Sequence, residues 1–211
     1  VAEMTRMQDE VITGIANLIE SRDGSTGLHV KNTQNYVQIL TKALREKGMY
    51  PDILDHNYEL NTVKASVLHD IGKIKTPDAI LLKPGRLTDE EFEVMKQHTV
   101  AGCEIIDRII GNVEHEEYVD IARKIARYHH ERWDGTGYPD GLSGEEIPLC
   151  ARIMALADVF DALYQDRCYK KAIRPASKVF EIIKENSGSQ FDPNLTEIFL
   201  ELQREITDIS E

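Results

Sequence analysis

The chain has few cysteines and no long apolar run, and both absences restrict its function. Its three cysteines, Cys103, Cys150 and Cys168, are too few for a zinc ribbon and show no metal-ligand spacing, so we interpret them as core residues or incidental thiols of a reducing cytoplasm. No stretch approaches the roughly 18 to 20 apolar residues of a membrane span, and no signal peptide is visible. We therefore expect a cytoplasmic protein without a membrane span.

Basic residues are also scarce. Lys and Arg number 25 against 37 Asp and Glu, which gives a formal net charge of -12 at pH 7. This balance argues against a protein that binds a nucleic acid polymer through a broad basic face. A small anionic ligand can still bind, because metal cations and a few basic side chains would reverse the sign of the potential within one site.

Strand patterns are missing as well. Apolar residues recur at intervals of three and four without sustained alternation, which predicts an almost wholly helical chain. The 211 residues, 41% of them hydrophobic, suffice for one sizeable core, so we expect a single all-α domain. Thr88 to Glu91 form a capping box that predicts the start of a helix carrying His98. Residues 133–146, rich in Gly, Pro and Asp, predict the one long loop.

The chain is unusually rich in histidines that lie in apolar helical stretches or beside other potential ligands. Five of its seven histidines lie in or at the ends of apolar helical stretches, namely His29, His69, His98, His129 and His130. A lone histidine on such a helix is more often a packed core or surface residue than a ligand. The adjacent pairs His69-Asp70 and His129-His130 change that balance, because each delivers two ligand groups where a helix stops.

Two aspartates add carboxylates to this set. Asp158 lies inside the apolar run 153–160, where a carboxylate would be costly to bury without a cation. Asp161 follows three residues later on the same helix face, so we expect both carboxylates to point into one site.

Five imidazoles with Asp70 and Asp158 exceed what a closed four-ligand zinc site needs. Two metals that share a bridging aspartate would use all seven groups and leave room for water. Such ions lie about 3.5 to 4 Å apart and favour in-line displacement at phosphorus. The residues therefore predict a two-metal centre for phosphodiester hydrolysis.

These motifs and several others resemble the HD-GYP domain, the branch of the HD phosphohydrolase superfamily that hydrolyses the bacterial messenger cyclic di-GMP. The resemblance runs in the family's order from about Ser21 to Asp192. The matching segments are 69–73 (HDIGK), 82–88 (LKPGRLT), 129–131 (HHE), 133–139 (WDGTGYP), 157–163 (ADVFDAL) and 166–170 (DRCYK). A lone His-Asp pair would be weak evidence, whereas this ordered set is specific.

The resemblance implies a ligand set and a metal type. It implies one metal held by His29, His69, Asp70 and Asp158, and a second held by Asp70, His98, His129 and His130. Asp70 would bridge the two ions and is therefore expected to be catalytic. Nitrogen-rich ligands with carboxylates suit iron or manganese, and zinc is possible.

The resemblance also implies substrate contacts. Lys73 would contact the scissile phosphate, where its charge offsets the charge that builds up in the transition state. Arg167 and Lys170 resemble the family's guanine and phosphate contacts, and Tyr138 would line the same cleft. A Gly-Tyr-Pro segment could also be a plain surface turn, but its place just after His129-His130 favours the functional interpretation.

The chain departs from the family pattern at two positions. Subfamilies with a third metal have a Glu four residues before the first His, where this chain has Ser25. A hydroxyl is a poor ligand, so we expect two metals and no third, with linear pGpG as the main product. Asp23 is the substitute ligand that could overturn this expectation. Cys168 stands where the family usually has Pro.

Residues 1–20 predict an N-terminal helix, and residues 21–211 would form the catalytic domain. Met4, Met7, Val11, Ile15 and Leu18 recur every three or four residues. This row suits either a helix that arrives from an upstream sensor or receiver domain, with a homodimer as a further option, or an ordinary core helix. The chain begins at Val1 without an initiator Met, which suggests a fragment or a processed chain.

The leading hypothesis is a metal-dependent phosphodiesterase that hydrolyses cyclic di-GMP. One alternative is a hydrolase of a related cyclic dinucleotide such as cyclic GMP-AMP. The Gly-Tyr-Pro loop with Arg167 and Lys170 argues against generic hydrolases but does not distinguish close cyclic dinucleotides. Another alternative is a weakly catalytic receiver that binds cyclic di-GMP, although a degenerate receiver would be expected to have lost some ligands.

Overall fold

The computed structural model describes residues 2–23, 28–111, 116–165 and 172–210, without the side chains of residues 2–9 and 23. In this part of the chain the helices are α1 (Ala2–Glu20), α2 (His29–Glu46), α3 (His56–Ala65), α4 (Asp78–Leu81), α5 (Asp89–Ile110), α6 (Glu116–Tyr128), α7 (Leu149–Tyr164), α8 (Ala176–Glu185), α9 (Pro193–Glu201) and α10 (Gln203–Asp208). Short 3₁₀ turns cover Ser21–Asp23, Ser66–Leu68, Ile71–Lys75 and Gly144–Glu146.

The all-α prediction is confirmed for the described ranges. They contain no strand beyond one isolated bridge between Ser187 and Phe191. The capping box is present as predicted: Thr88 accepts the backbone N–H of Glu91, whose carboxylate accepts the backbone N–H of Thr88. Residues 133–146 are irregular until the final turn Gly144–Glu146, which agrees with the predicted loop.

Helix α7 forms the centre of the hydrophobic core. Its Ile153, Met154, Leu156 and Phe160 are completely buried, and it is flanked by α2, α6, α8 and α9. A helix that is apolar on nearly every side must be enclosed by other helices. The single polar ligand candidate within this run, Asp158, is thereby fixed in position by packing on both sides of it.

Helix α1 presents two different faces. Ala16 and Ile19 belong to the main core. Val11, Ile15 and Leu18 are 55%, 38% and 69% exposed. The side chains of Val11, Ile15 and Leu18 therefore do not belong to the core of this chain, and those of Met4 and Met7 lie outside the described residues. None of the described helices combines the length and apolar character needed to cross a membrane.

Candidate metal centre

Five separate elements deliver the predicted ligands to one place. His29 is the first residue of α2, and His69 and Asp70 lie between the turns Ser66–Leu68 and Ile71–Lys75. His98 lies within α5, His129 and His130 directly follow α6, and Asp158 lies within α7. The structure thus brings together all seven residues that the sequence predicts as metal ligands.

A glycine allows the closest of these approaches. Gly72 packs against α5 so tightly that a Cβ atom at this position would lie 1.8 Å from the backbone oxygen of His98. No side chain fits there without displacing one backbone from the other. The requirement for glycine explains how Asp70, two residues earlier, comes to lie 3.2 Å from His98.

Each of four imidazoles is anchored through its Nδ1 atom. Nδ1 donates to Ser66 O in His69 (2.9 Å), to Met95 O in His98 (2.7 Å) and to Ile125 O in His129 (2.9 Å). In His29 it donates to the Asp161 carboxylate at 2.7 Å. A proton on Nδ1 leaves the lone pair on Nε2 free for a metal, and the anchored ring has its orientation fixed.

The Nε2 atoms face Asp70 and one another. Asp70 carboxylate oxygens lie 3.4 Å from His69 Nε2, 3.2 Å from His98 Nε2 and 3.6 Å from His129 Nε2. Ligand atoms of Asp70, His98, His129 and His130 all lie within 4.8 Å of one another. A second such group contains His29, His69 and Asp70 together with Glu20. Asp70 is the residue that the two groups share.

The two aspartates of α7 contact opposite edges of the His29 ring. Asp158 Oδ1 lies 3.5 Å from Nε2, on the side of the ligand groups, whereas Asp161 Oδ2 accepts from Nδ1. The expectation that both carboxylates point into one site is therefore wrong for Asp161. Asp161 lies behind His29, where it also accepts from the Asn32 amide at 3.1 Å.

The donor set fits a divalent cation. Within the described ranges, Asp70 Oδ1, His98 Nε2 and His129 Nε2 are buried and have no hydrogen-bond partner. A buried polar atom left unpaired costs about 1 to 3 kcal/mol, so three such atoms facing one point suit the binding of a positive ion. Nitrogen and carboxylate donors are the ligands that zinc, iron and manganese accept.

The electrostatics of the centre also favour a cation. Burial lowers the pKa of His129 and lowers that of His130 well below its usual range, which favours the neutral rings that a metal requires. Burial disfavours a charged His69, but Asp70 beside it outweighs this effect and raises the pKa of His69 to about 9, so a metal bound at Nε2 of His69 would take the place of a proton. Burial likewise disfavours the charge of Asp70, but Lys73 and His69 hold its pKa well below the usual range. Negative charge is thus retained at the ligand positions.

Lys73 lies beside the bridging candidate. Its Nζ atom is 2.6 Å from Asp70 Oδ2 and 3.3 Å from Glu20 Oε1. Arg22 holds the turn that carries Lys73 by donating to the backbone oxygens of Lys73 (3.4 Å) and Ile74 (3.2 Å). The ammonium group therefore has a fixed place next to the ligands.

A cavity of about 360 Å³ opens onto this cluster. Asp70, Lys73, His98, His130, Tyr138 and Asp158 contribute to its lining, as do Lys83 and Met95. The predicted substrate contacts Lys73 and Tyr138 thus share one cavity with four of the predicted ligands.

The Gly-Tyr-Pro loop is held in place by a buried carboxylate. Glu131 accepts the backbone N–H groups of Asp140 and Gly141 with one oxygen and that of Leu142 with the other. The Tyr138 ring lies 4.9 Å from the His130 ring, measured between centroids. This contact supports the functional interpretation of the loop, because a plain surface turn would not need to lie against a potential metal ligand.

Several predicted residues fall outside the described part of the chain. These are Arg167 and Lys170, expected to contact the nucleotide, together with Ser25 and Cys168, the two departures from the family pattern. The side chain of Asp23, the substitute ligand considered above, is outside it as well.

A comparison with protein families decides the wider classification. A family model described as the HD domain matches residues 15–195. The chain belongs to the HD domain family. HD domains are metal-dependent phosphohydrolases, which agrees with the donor set described above.

Curated relatives confirm the HD-GYP resemblance. A cyclic di-GMP phosphodiesterase from Vibrio cholerae is 44% identical over 99% of this chain, and the match covers 42% of that relative. A 3'3'-cGAMP-specific phosphodiesterase from the same organism is 35% identical over 95% of this chain, and the match covers 36% of that relative. The present chain thus spans less than half the length of each of these two relatives.

Solved structures confirm the all-α fold. An HDG"Y"P protein from Bdellovibrio bacteriovorus matches 96% of this chain, and the match covers 64% of that protein. The TM-score is 0.60 at 17% sequence identity. At that identity the likeness concerns the arrangement of the HD domain helices.

Two residues of this HD domain, Glu20 and Asp161, lie where the sequence did not predict them. Glu20 belongs to the second ligand group but ends a different helix and is part of no recognised motif. Its only signal was a carboxylate at the end of an apolar helix, which ordinarily indicates a solvated helix terminus. Asp161 could have been placed behind His29 only with knowledge of how α2 and α7 pack.

Proposed function

We propose that the protein is a metal-dependent phosphodiesterase that hydrolyses cyclic di-GMP, mainly to linear pGpG, in bacterial second-messenger signalling. The observation that carries this proposal is Asp70, which is common to two groups of potential metal ligands at one side of a cavity. Relatives named cyclic di-GMP phosphodiesterases support the choice of substrate. The messenger is intracellular, so we propose a cytoplasmic location.

Two metal ions are proposed, with iron or manganese preferred and zinc as a further option. His29, His69, Asp70 and Asp158 would hold one ion, and Asp70, His98, His129 and His130 the other. When bound, such a pair supplies Lewis acidity to phosphorus chemistry and activates water at neutral pH. No third ion is proposed, since Ser25 offers no carboxylate.

The protein's own groups would orient the substrate and offset its charge. The Lys73 ammonium, 12% exposed at the cavity wall, is proposed to contact the scissile phosphate. The Tyr138 ring would pack against the nucleotide, and Arg167 with Lys170 would contact guanine and phosphate. These cations also explain how a chain of net charge -12 could bind a dianion.

Linear pGpG is proposed as the main product because a second cleavage is expected to benefit from a third ion. The test combines anaerobic metal quantification with chromatography of the reaction of cyclic di-GMP with the Mn²⁺- or Fe²⁺-loaded protein. Accumulation of pGpG with two ions per chain supports the proposal. Rapid accumulation of GMP would contradict the product, and three tightly held ions would contradict the metal count.

Cyclic GMP-AMP is the second candidate substrate, because one relative is specific for it. Parallel assays with the two dinucleotides, at equal concentration and metal content, distinguish these options. A higher kcat/KM for cyclic GMP-AMP than for cyclic di-GMP would make cyclic GMP-AMP the proposed substrate. Binding of cyclic di-GMP without hydrolysis, in protein that retains both ions, would instead indicate a receiver.

The division into an N-terminal helix (1–20) and a catalytic domain (21–211) is kept as a proposal, with an upstream sensor or receiver domain before it. A homodimer through α1 is proposed as well. The exposed row Val11, Ile15 and Leu18 supports this pairing, since apolar residues at such spacing suit a helix-helix contact. Sedimentation of the wild type and of Leu18→Glu would test it, and a wild-type monomer at micromolar concentration would contradict it.

A further inference from the structure

Glu20 occupies an unusual place for a residue that ends a helix. It is the last residue of α1, yet only 2% of its surface is exposed. One of its carboxylate oxygens lies within 4.8 Å of ligand atoms of His29, His69 and Asp70, which themselves lie equally close to one another. A carboxylate at a helix terminus normally remains in water, because burial of the charge is costly.

Several charged groups surround the Glu20 carboxylate. Glu20, Asp70, Asp158 and Asp161 place four carboxylates around the His29 and His69 rings, and the Lys73 ammonium contacts two of them, Asp70 and Glu20. The Lys73 ammonium is nearer to Asp70 (2.6 Å) than to Glu20 (3.3 Å). The Glu20 carboxylate therefore shares Lys73 with Asp70 and lies among imidazole nitrogens and a carboxylate, the donor types that a divalent metal accepts.

We propose that Glu20 is a metal ligand on the His29 side of the centre, where it joins His29, His69 and Asp70. This inference rests on the proposed metal-dependent function. The resemblance to HD-GYP domains gave no ligand role to a residue nine positions before His29, and it left Ser25 without a carboxylate. Glu20 supplies a carboxylate from a different helix, and it does so within the two-ion set.

The proposal links α1 to the metal centre. Ala16 and Ile19 fix the last turn of α1 against the core and so determine where the Glu20 carboxylate lies. The affinity of the His29 side for metal then depends on how α1 packs. Among the side chains that the structure describes, none from α1 belongs to the other group, Asp70 with His98, His129 and His130.

A plainer role for Glu20 is to position Lys73 alone. The two roles predict different results in protein that lacks the Lys73 ammonium. If Glu20 only positions Lys73, replacing Glu20 should not change metal affinity once Lys73→Met has removed the ammonium. If Glu20 binds the metal, its replacement should weaken metal binding equally in both backgrounds. Glu20→Gln is therefore compared with the wild type and again within the Lys73→Met background.

The experiment is a titration of metal-free protein with Mn²⁺ or Co²⁺ in competition with a chelating dye, with the Co²⁺ absorption spectrum as a second readout. Loss of an outer-shell partner weakens metal binding about 10- to 100-fold, so loss of a direct ligand should weaken one of two sites by at least about 100-fold. Glu20→Asp, which keeps the charge on a shorter side chain, should fall between the wild type and Glu20→Gln. Glu59→Gln is the matched control, because Glu59 is also buried but pairs with Arg45 away from the centre.

Wild-type affinity of both sites in folded Glu20→Gln, or a loss that vanishes in the Lys73→Met background, would overturn the proposal. If Glu20→Gln fails to fold, as judged by circular dichroism, Glu20→Asp decides alone, and wild-type affinity and spectrum in that variant would overturn the proposal. Failure of the proposed function gives a different result, namely tight metal binding by the wild type without hydrolysis of either cyclic dinucleotide. In that case the Glu20 assignment is still tested by affinity.

Discussion

Replacement of Asp161 should weaken metal binding although Asp161 faces away from the ligand groups. Its carboxylate is 1% exposed and accepts the Nδ1 proton of His29 at 2.7 Å. This bond selects the His29 tautomer that has its lone pair on Nε2, the atom 3.3 Å from His69 Nε2. Without it the ring can rotate or exchange its proton, and the ligand geometry is lost.

The magnitude follows from the contacts of both carboxylate oxygens. Asp161→Ala leaves a buried N–H group on His29 without an acceptor, so we expect the upper end of the outer-shell range, about 100-fold in metal affinity or about 2.7 kcal/mol. Asp161→Asn keeps one oxygen for His29. Its new NH₂ group would face the Asn32 amide, which now donates to Asp161 at 3.1 Å, but Asn32 can turn its amide to accept. We therefore expect only about tenfold for Asp161→Asn.

The assay is a metal titration against a chelating dye, with folding monitored by circular dichroism. Glu59→Gln again serves as the control, since it neutralises a buried carboxylate far from His29 and should leave metal affinity unchanged. Wild-type affinity in folded Asp161→Ala would refute the reasoning. Equal losses in Asp161→Ala and Glu59→Gln would also refute it, because the effect would then reflect general destabilisation.

Three further predictions concern the proposed catalytic and substrate residues. Asp70→Ala should abolish hydrolysis and reduce the content of both metals, as measured by elemental analysis; retained activity with full metal content would contradict the two-metal assignment. Lys73→Ala should keep its metals but lose about 10²- to 10³-fold in kcat, as expected for a group that stabilises transition-state charge; an unchanged kcat would remove Lys73 from this role. Arg167→Ala and Lys170→Ala should weaken cyclic di-GMP binding in calorimetry at unchanged metal content, and unaltered affinity in both would place the guanine site elsewhere.

The parts of the fold that could be predicted from sequence depend on local interactions. The helix that begins after Thr88 was predictable because a capping box involves only four consecutive residues. The loop 133–146 was predictable because Gly and Pro restrict the backbone wherever they occur. His69-Asp70 and His129-His130 were identifiable as ligand pairs because neighbours in sequence are delivered together.

Tertiary contacts account for what the sequence did not indicate. Asp158 and Asp161 share a helix face, and local spacing therefore suggested a shared site, but the His29 ring lies between their carboxylates. Which edge of an imidazole each carboxylate contacts depends on the packing of α2 against α7. The exposure of Val11, Ile15 and Leu18 was also open from sequence, because spacing defines a face of α1 but not the direction in which it points.

Glu20 shows why a departure at one position does not settle the chemistry of a site. Ser25 suggested that the His29 side lacks an additional carboxylate, because the family pattern places that carboxylate four residues before the histidine. Metal binding depends on which ligand atoms lie close together in space and not on their order in the chain. The Glu20 carboxylate lies close to His29, His69 and Asp70 although it comes from the end of another helix, so the His29 side of the two-ion set can gain a carboxylate that no local motif predicts.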